Sequence, residues 1–145
     1  MIVALDTDVL VHWTMQGTPR HASVGKWIGR HLRTRGHALA LTPQTLHELI
    51  HVCTDPRRFE RPMSMAEALE RSRALWDARE VVRVLPGPSV LHRTLELLGK
   101  FHLGRKRILD TVLAATLEAA DVHHLATLNA ADFAVFPFLE VVNPA

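Results

Sequence analysis

Short apolar runs and amphipathic stretches alternate along this chain, and each change of period marks the edge of an element. Met1–Leu5 is an apolar run broken by Asp6-Thr7-Asp8, which reads as a buried strand with polar residues at its carboxyl end. From about residue 20 to 34, Val24, Trp27, Ile28 and Leu32 recur at helical spacing, and Gly36 stands where a C-capping glycine is expected. Ala38–Leu41 is a second short strand. Thr42 then offers an N-cap and Pro43 a first helical residue, followed by Leu46, Leu49, Ile50 and Cys53 on one face. That helix is expected to end near Asp55-Pro56, because a residue before proline avoids the helical region.

The second half repeats the alternation. Residues 64–79 predict a helix with Ser64 as cap and Glu67 as its capping-box partner. Val81–Leu85 is a β-branched strand stopped by Pro86-Gly87-Pro88, and Ser89–Phe101 is helical. Ile108–Ala120 is the strongest helix, alanine-rich with a broad apolar face. His124–Leu128 and Leu139–Val142 close the chain as short strands. Strands alternating with helices predict an α/β fold with a parallel sheet covered on both faces. In open parallel sheets, ligands bind beyond the carboxyl ends of the strands, which directs attention to the residue following each strand.

Composition sharpens this picture in few places. At 145 residues and 48% apolar, the chain suits one domain with one real core. Cys53 is the single cysteine, so no internal disulfide forms and a reducing compartment suits the chain. Ile2–Leu5 is too short for a signal peptide, and no apolar run approaches the ~20 residues of a membrane span. The expectation is a soluble, cytoplasmic protein. The formal charge is only +2, but basic residues gather in clusters: Arg57, Arg58 and Arg61, then Lys100, Arg105, Lys106 and Arg107. Such clusters suit phosphates or a solvated surface alike.

The acids sit where a core would not want them. Asp6 follows an apolar strand directly and Asp8 comes two residues later. Glu48 lies beside the apolar stripe of its helix, Asp110 near the start of the alanine-rich helix, and Asn129 and Asp132 after the strand at 124–128. Each alone suits a cap or a dipole partner. Together, four segments bring acids or an amide to one sheet edge. Carboxylates gathered there raise one another's pKa, and desolvation adds to the cost. A hard divalent cation with oxygen ligands, Mg²⁺ or Mn²⁺, removes it. A competing pattern is His47-Glu48-Leu49-Ile50-His51, which spells H-E-x-x-H and predicts zinc with Glu48 as base and His92 or His123 as a third ligand. It leaves Asp6, Asp8, Asp110 and Asn129 unexplained, and ten histidines make a chance match common.

In order, Val3-Ala4-Leu5-Asp6-Thr7-Asp8, Thr42-Pro43-Gln44-Thr45-Leu46-His47-Glu48, Ile108-Leu109-Asp110-Thr111 and Thr127-Leu128-Asn129-Ala130-Ala131-Asp132-Phe133 resemble the successive motifs of PIN-domain ribonucleases, above all the VapC-type toxins of bacterial toxin–antitoxin pairs. Two residues depart from that pattern: Asp8 replaces the usual Asn or Ser, and Asn129 stands where many members have Asp. The resemblance implies one PIN-like domain over residues 1–145, a three-layer α/β/α fold with about four to five short parallel strands. It implies RNA hydrolysis at a Mg²⁺ or Mn²⁺ held by Asp6, Glu48 and Asp110, with Asn129 or Asp132 assisting. Thr7 and Thr127 would orient ligands or water, and Lys106 and Arg107 would hold the scissile strand. It further implies a cognate antitoxin and a homodimer, with the region from Ser64 to Phe101 contributing to both. There Leu69, Leu75, Trp76, Leu91, Leu95 and Leu98 are expected mostly in the core.

Two rivals stand beside this reading. Leu5-Asp6-Thr7-Asp8 also fits a haloacid-dehalogenase-like phosphatase, with Asp6 as nucleophile and Asp8 as acid/base; that fold wants a later lysine and a paired-acid motif after a strand, and Asp110 sits inside a helical pattern with no such pair. A non-catalytic PIN-like module is the other, and Asn129 is what suggests it.

Overall fold

The computed structural model describes all residues from Met1 to Ala145. Five parallel strands form one sheet: β1 (Ile2–Leu5), β2 (Ala38–Leu41), β3 (Val81–Arg83), β4 (His124–Ala126) and β5 (Glu140–Val142). Their spatial order is β3-β2-β1-β4-β5. The chain thus builds outward from β1 on one side, then returns to add β4 on the other. The crevice between β1 and β4 is the topological switch point, where doubly wound sheets bind ligands. Register pairs Leu5 with Ala126, and the Asp6 amide donates to the Ala126 carbonyl at 3.0 Å, so Asp6 and Thr127 leave the sheet side by side.

Alternation along the strands divides the core into two layers. Ala4, Ala40 and Leu125 face one side, packed with Leu97, Leu113, Leu117 and Phe133. Val3, Leu5, Leu39, Leu41 and Ala126 face the other, packed with Leu10, Ile28 and Leu49. The first layer is covered by α5 (Ser89–Lys100) and α6 (Ile108–Ala119), the second by α1 (Thr7–Thr14), α2 (His21–Arg33) and α3 (Pro43–Cys53). This is the three-layer α/β/α architecture expected from the alternation. No helix is long and apolar enough to cross a membrane.

Several expectations are corrected in detail. Thr7–Thr14, to which the hydrophobic pattern assigns no element, is a full helix whose N-cap is Asp6 itself. Asp6 is extended (φ −74°, ψ 162°) and its carboxylate accepts from the Thr7 amide at 2.8 Å. Gly36 is not the helix cap: α2 ends at Arg33 with Thr34 extended behind it. Gly36 instead turns the chain into β2 with φ +82°, a conformation that suits glycine because it has no Cβ. The predicted helix 64–79 is α4 (Met65–Asp77), with Ser64 accepting from the Glu67 amide at 3.1 Å. The last three strands are shorter than the apolar runs suggested. A short helix α7 (Ala130–Phe133) follows β4. Leu69, Leu91 and Leu95 are 43%, 63% and 58% exposed rather than core, because α4 and α5 each have only one face against the protein.

Candidate active site

Three elements deliver carboxylates to the carboxyl edge of the sheet. Asp6 leaves β1 as the cap of α1, Glu48 rides the second turn of α3, and Asp110 lies in the first turn of α6. All three line one cleft of about 620 Å³, together with Thr7, Asp8 and Asn129. Of the residues singled out by sequence, Asp132, Thr127, Lys106 and Arg107 do not line it. Thr127 and Arg107 act on residues that do.

Hydroxyls and amides hold the acids in place. Thr127 Oγ1 donates to Asp6 Oδ2 at 2.8 Å, and Thr7 Oγ1 donates to Glu48 Oε2 at 2.8 Å. Gln44 Nε2 donates to Glu48 Oε1 at 3.0 Å and to the Leu109 carbonyl at 2.9 Å. One side chain thereby ties α3 to the start of α6 and sets Glu48 beside Asp110. Gln44 did not stand out in the sequence, although its place four residues before Glu48 on a helix was the available signal. His12, Thr18, Val52, Arg58 and Phe59 also line the cleft, brought there by packing that periodicity does not report.

Asp8 has a separate task. Its Oδ2 accepts from the Leu128 amide at 3.1 Å and from Asn129 Nδ2 at 2.9 Å. The two departures from the family pattern, Asp8 and Asn129, are therefore bonded to each other and fix the turn after β4. Asp8 Oδ1 is buried with no hydrogen-bond partner. A bare carboxylate oxygen in such a place is costly unless a proton or a cation meets it.

The electrostatics point the same way. Burial, then the neighbouring Asp8 and Asp110 charges, push Asp6 up to about 7 against the hydrogen bonds from Thr127 and Thr7. Burial also raises Asp8 despite its amide donors, with Asp110 and Asp132 adding repulsion. Asp110 is raised by burial and by Asp132 and Glu48, and lowered by Arg107. Arg107 lies between two acids, its Nε 3.5 Å from Asp110 and its Nη1 3.8 Å from Asp132. Its guanidinium is largely turned inward, with Nε and Nη2 buried and lacking hydrogen bonds.

The residues fit a hard divalent cation. The acidic donors are all oxygen, burial and mutual repulsion oppose ionisation of Asp6, Asp8 and Asp110, and one buried oxygen is unpartnered. The carboxylates share an open cleft, with no three acid, imidazole or thiol groups already gathered as a cage. Mg²⁺ suits such a site, since it keeps several waters and takes only one or two carboxylates directly. His47 and His51 of the H-E-x-x-H pattern are exposed and do not line the cleft. Only Glu48 of that pattern reaches it.

The chain is 26% identical over 144 residues to Ribonuclease VapC24 of Mycobacterium tuberculosis, covering 99% of this chain and 97% of that one. In fold it is similar to M. tuberculosis VapC20, a toxin cleaving the sarcin–ricin loop (TM-score 0.71, 13% identity, 92% of this chain and 95% of that chain). It is likewise similar to VapBC2 of Rickettsia felis bound to a promoter DNA fragment (TM-score 0.69, 17% identity, 99% and 98%). FitAcB of Neisseria gonorrhoeae gives a TM-score of 0.66 at 21% identity, again over 99% and 98%. At such identities structural likeness speaks for fold alone. The sequence pattern of the PIN domain, however, matches residues 3–139, from the first strand through Asp6, Glu48, Asp110 and Asn129, and on that match the chain belongs to the PIN-domain family.

Proposed function

We propose that this protein is a divalent-metal-dependent endoribonuclease acting in the cytoplasm as the toxin of a toxin–antitoxin pair. The observation that carries this reading is the cleft at the switch point, which Asp6, Glu48 and Asp110 from three separate elements line together. Membership of the PIN family sets aside the phosphatase reading of Asp6-Thr7-Asp8. The relative named Ribonuclease VapC24 and the fold neighbours in toxin–antitoxin complexes support an antitoxin as partner. The exposed Leu91 and Leu95 on α5 support a homodimer.

In this reading Asp6, Glu48 and Asp110 hold Mg²⁺ or Mn²⁺. When bound, such an ion supplies a nucleophilic water at neutral pH and charge stabilisation for phosphodiester hydrolysis. The protein's own side chains do the rest. Thr127 and Thr7 fix the lone pairs of Asp6 and Glu48, and Gln44 sets Glu48 against α6. Asp8 clamps the 127–129 turn, so that Asn129 presents its amide to the cleft at a fixed place, and Asp132 assists through Arg107. Lys106, exposed one turn before Asp110, meets an RNA phosphate, while Arg107 keeps Asp110 and Asp132 oriented.

The test is cleavage of RNA by the purified protein in Mg²⁺ or Mn²⁺. Cleavage is expected to stop with EDTA and in Asp6→Asn, with the variant still folded. Cleavage that survives both would place the chemistry elsewhere; folded protein that cleaves no RNA would leave the non-catalytic module.

A further inference from the structure

A second cavity of about 600 Å³ opens beside the acidic cleft, and the two share Thr18, Arg58 and Phe59 in their walls. They form one trough. It runs from the carboxylates outward between the α1–α2 loop, which contributes Met15 and Thr18, and the α3–α4 loop, which contributes Arg58, Phe59 and Arg61. The outer part differs in character from the inner. It holds two arginines against one acid, Glu60, where the inner part holds four carboxylates, Asp6, Asp8, Glu48 and Asp110.

Phe59 lines both cavities while packing against the core layer beneath α1 and α3. A ring held that way offers a flat, pre-set face at low entropic cost. Arg58 is 60% exposed and only loosely paired with Asp55, at 3.6 Å, an ion pair worth little in water. Its charge is available to a ligand. An aromatic face flanked by exposed arginines is the arrangement that tracks single-stranded nucleic acid: the base stacks, and the cations follow the backbone.

Resting on the nuclease reading above, we infer that the Phe59–Arg58–Arg61 trough is a nucleotide subsite next to the scissile bond, which takes one unpaired RNA base on Phe59 and its phosphates on Arg58 and Arg61. A polyanion entering an acidic centre needs cations close outside it, and Arg58 and Arg61 stand there. The subsite selects for unpaired RNA, because a base inside a helix cannot reach the ring.

The experiment is binding of labelled single-stranded RNAs in EDTA, one RNA of the series lacking a base at each position in turn. In wild type, base removal at one position is expected to weaken binding ~5- to 150-fold, the range for a base–aromatic stack. In Phe59→Leu that position is expected to become silent, while other positions keep their effects. Loss of stability alone would not erase the effect of one base. Arg58→Gln with Arg61→Gln, which touches no core residue, is expected to flatten the dependence of log K on log salt by about 0.7 for each phosphate no longer neutralised. An unchanged base profile in Phe59→Leu, or an unchanged salt slope in the arginine pair, overturns the subsite while leaving the nuclease reading standing. A wild-type protein that binds no RNA overturns both.

Discussion

At the scale of single residues, the site is built from hydroxyl–carboxylate pairs. Thr127 serves Asp6 and Thr7 serves Glu48, each at 2.8 Å, and each threonine is buried. A hydroxyl of this kind leaves the carboxylate charged but fixes which lone pairs face the cleft. Removing such supporting partners typically costs a metal site ~10–100-fold in affinity. Thr7→Val keeps the side-chain shape and removes only the donor, while Thr127→Val also removes the acceptor of the Asn129 amide, 3.1 Å away. Each is therefore expected to weaken Mn²⁺ binding by ~10–100-fold in titration calorimetry, with RNA cleavage falling at limiting metal and recovering at high metal. Unchanged Mn²⁺ affinity in both would show that the hydroxyls merely fill space. Gln44→Leu extends the argument: it frees Glu48 and the start of α6 together, so its loss should exceed that of either threonine.

At the scale of elements, the cap of α3 links local sequence to the site. Thr42 Oγ1 accepts from the Thr45 amide at 3.3 Å in a fully buried setting, and Pro43 pre-sets the first turn. Thr42→Ala is expected to cost ~1–2 kcal/mol in urea unfolding and to disorder the turn that carries Gln44, so cleavage should fall more than stability alone explains. This helix was fully legible in the sequence because cap, proline and apolar stripe agree. The helix α1 was not. Its text, Thr7-Asp8-Val9-Leu10-Val11-His12-Trp13-Thr14, is rich in β-branched residues, and its Val9, Leu10 and Val11 are all buried, so it shows no polar face to mark a helical period. Packing beneath α2 and α3 overrides propensity there. Asp6 was legible as an acid after a strand; its second identity as a helix cap followed only once α1 was seen. Arg58 and Phe59 were readable as a cation and an aromatic in a loop, but their meeting with Thr18 depends on how two loops pack, which no spacing encodes.

At the scale of the whole molecule, three acids at one edge of the sheet make stability depend on pH and metal together. Asp6 is raised from 3.8 to about 7, so the fold binds its proton more tightly than the unfolded chain does. Its contribution to stability is complete below pH 3.8 and is lost as the pH rises through about 7. Asp8 and Asp110 are raised too and act in the same sense. The metal-free protein is therefore expected to lose on the order of 4 kcal/mol between pH 4 and pH 7.5, most of it through Asp6. Metal binding needs the ionised acids and releases their protons, so stabilisation by saturating Mn²⁺ should be larger at pH 7.5 than at pH 5.5. Asp6→Asn separates the two effects. The amide keeps the Thr7 hydrogen bond, and the Thr127 hydroxyl can turn to accept instead of donate. Metal-free Asp6→Asn should thus melt above metal-free wild type at pH 7.5 and close to it at pH 4, and should gain little from Mn²⁺ at either. A variant that melts below wild type at pH 7.5 in EDTA would mean that the Asp6 carboxylate stabilises the fold by its hydrogen bonds more than burial and its neighbours oppose it. The site would then be a structural ion cluster rather than one held under charge strain until a cation arrives.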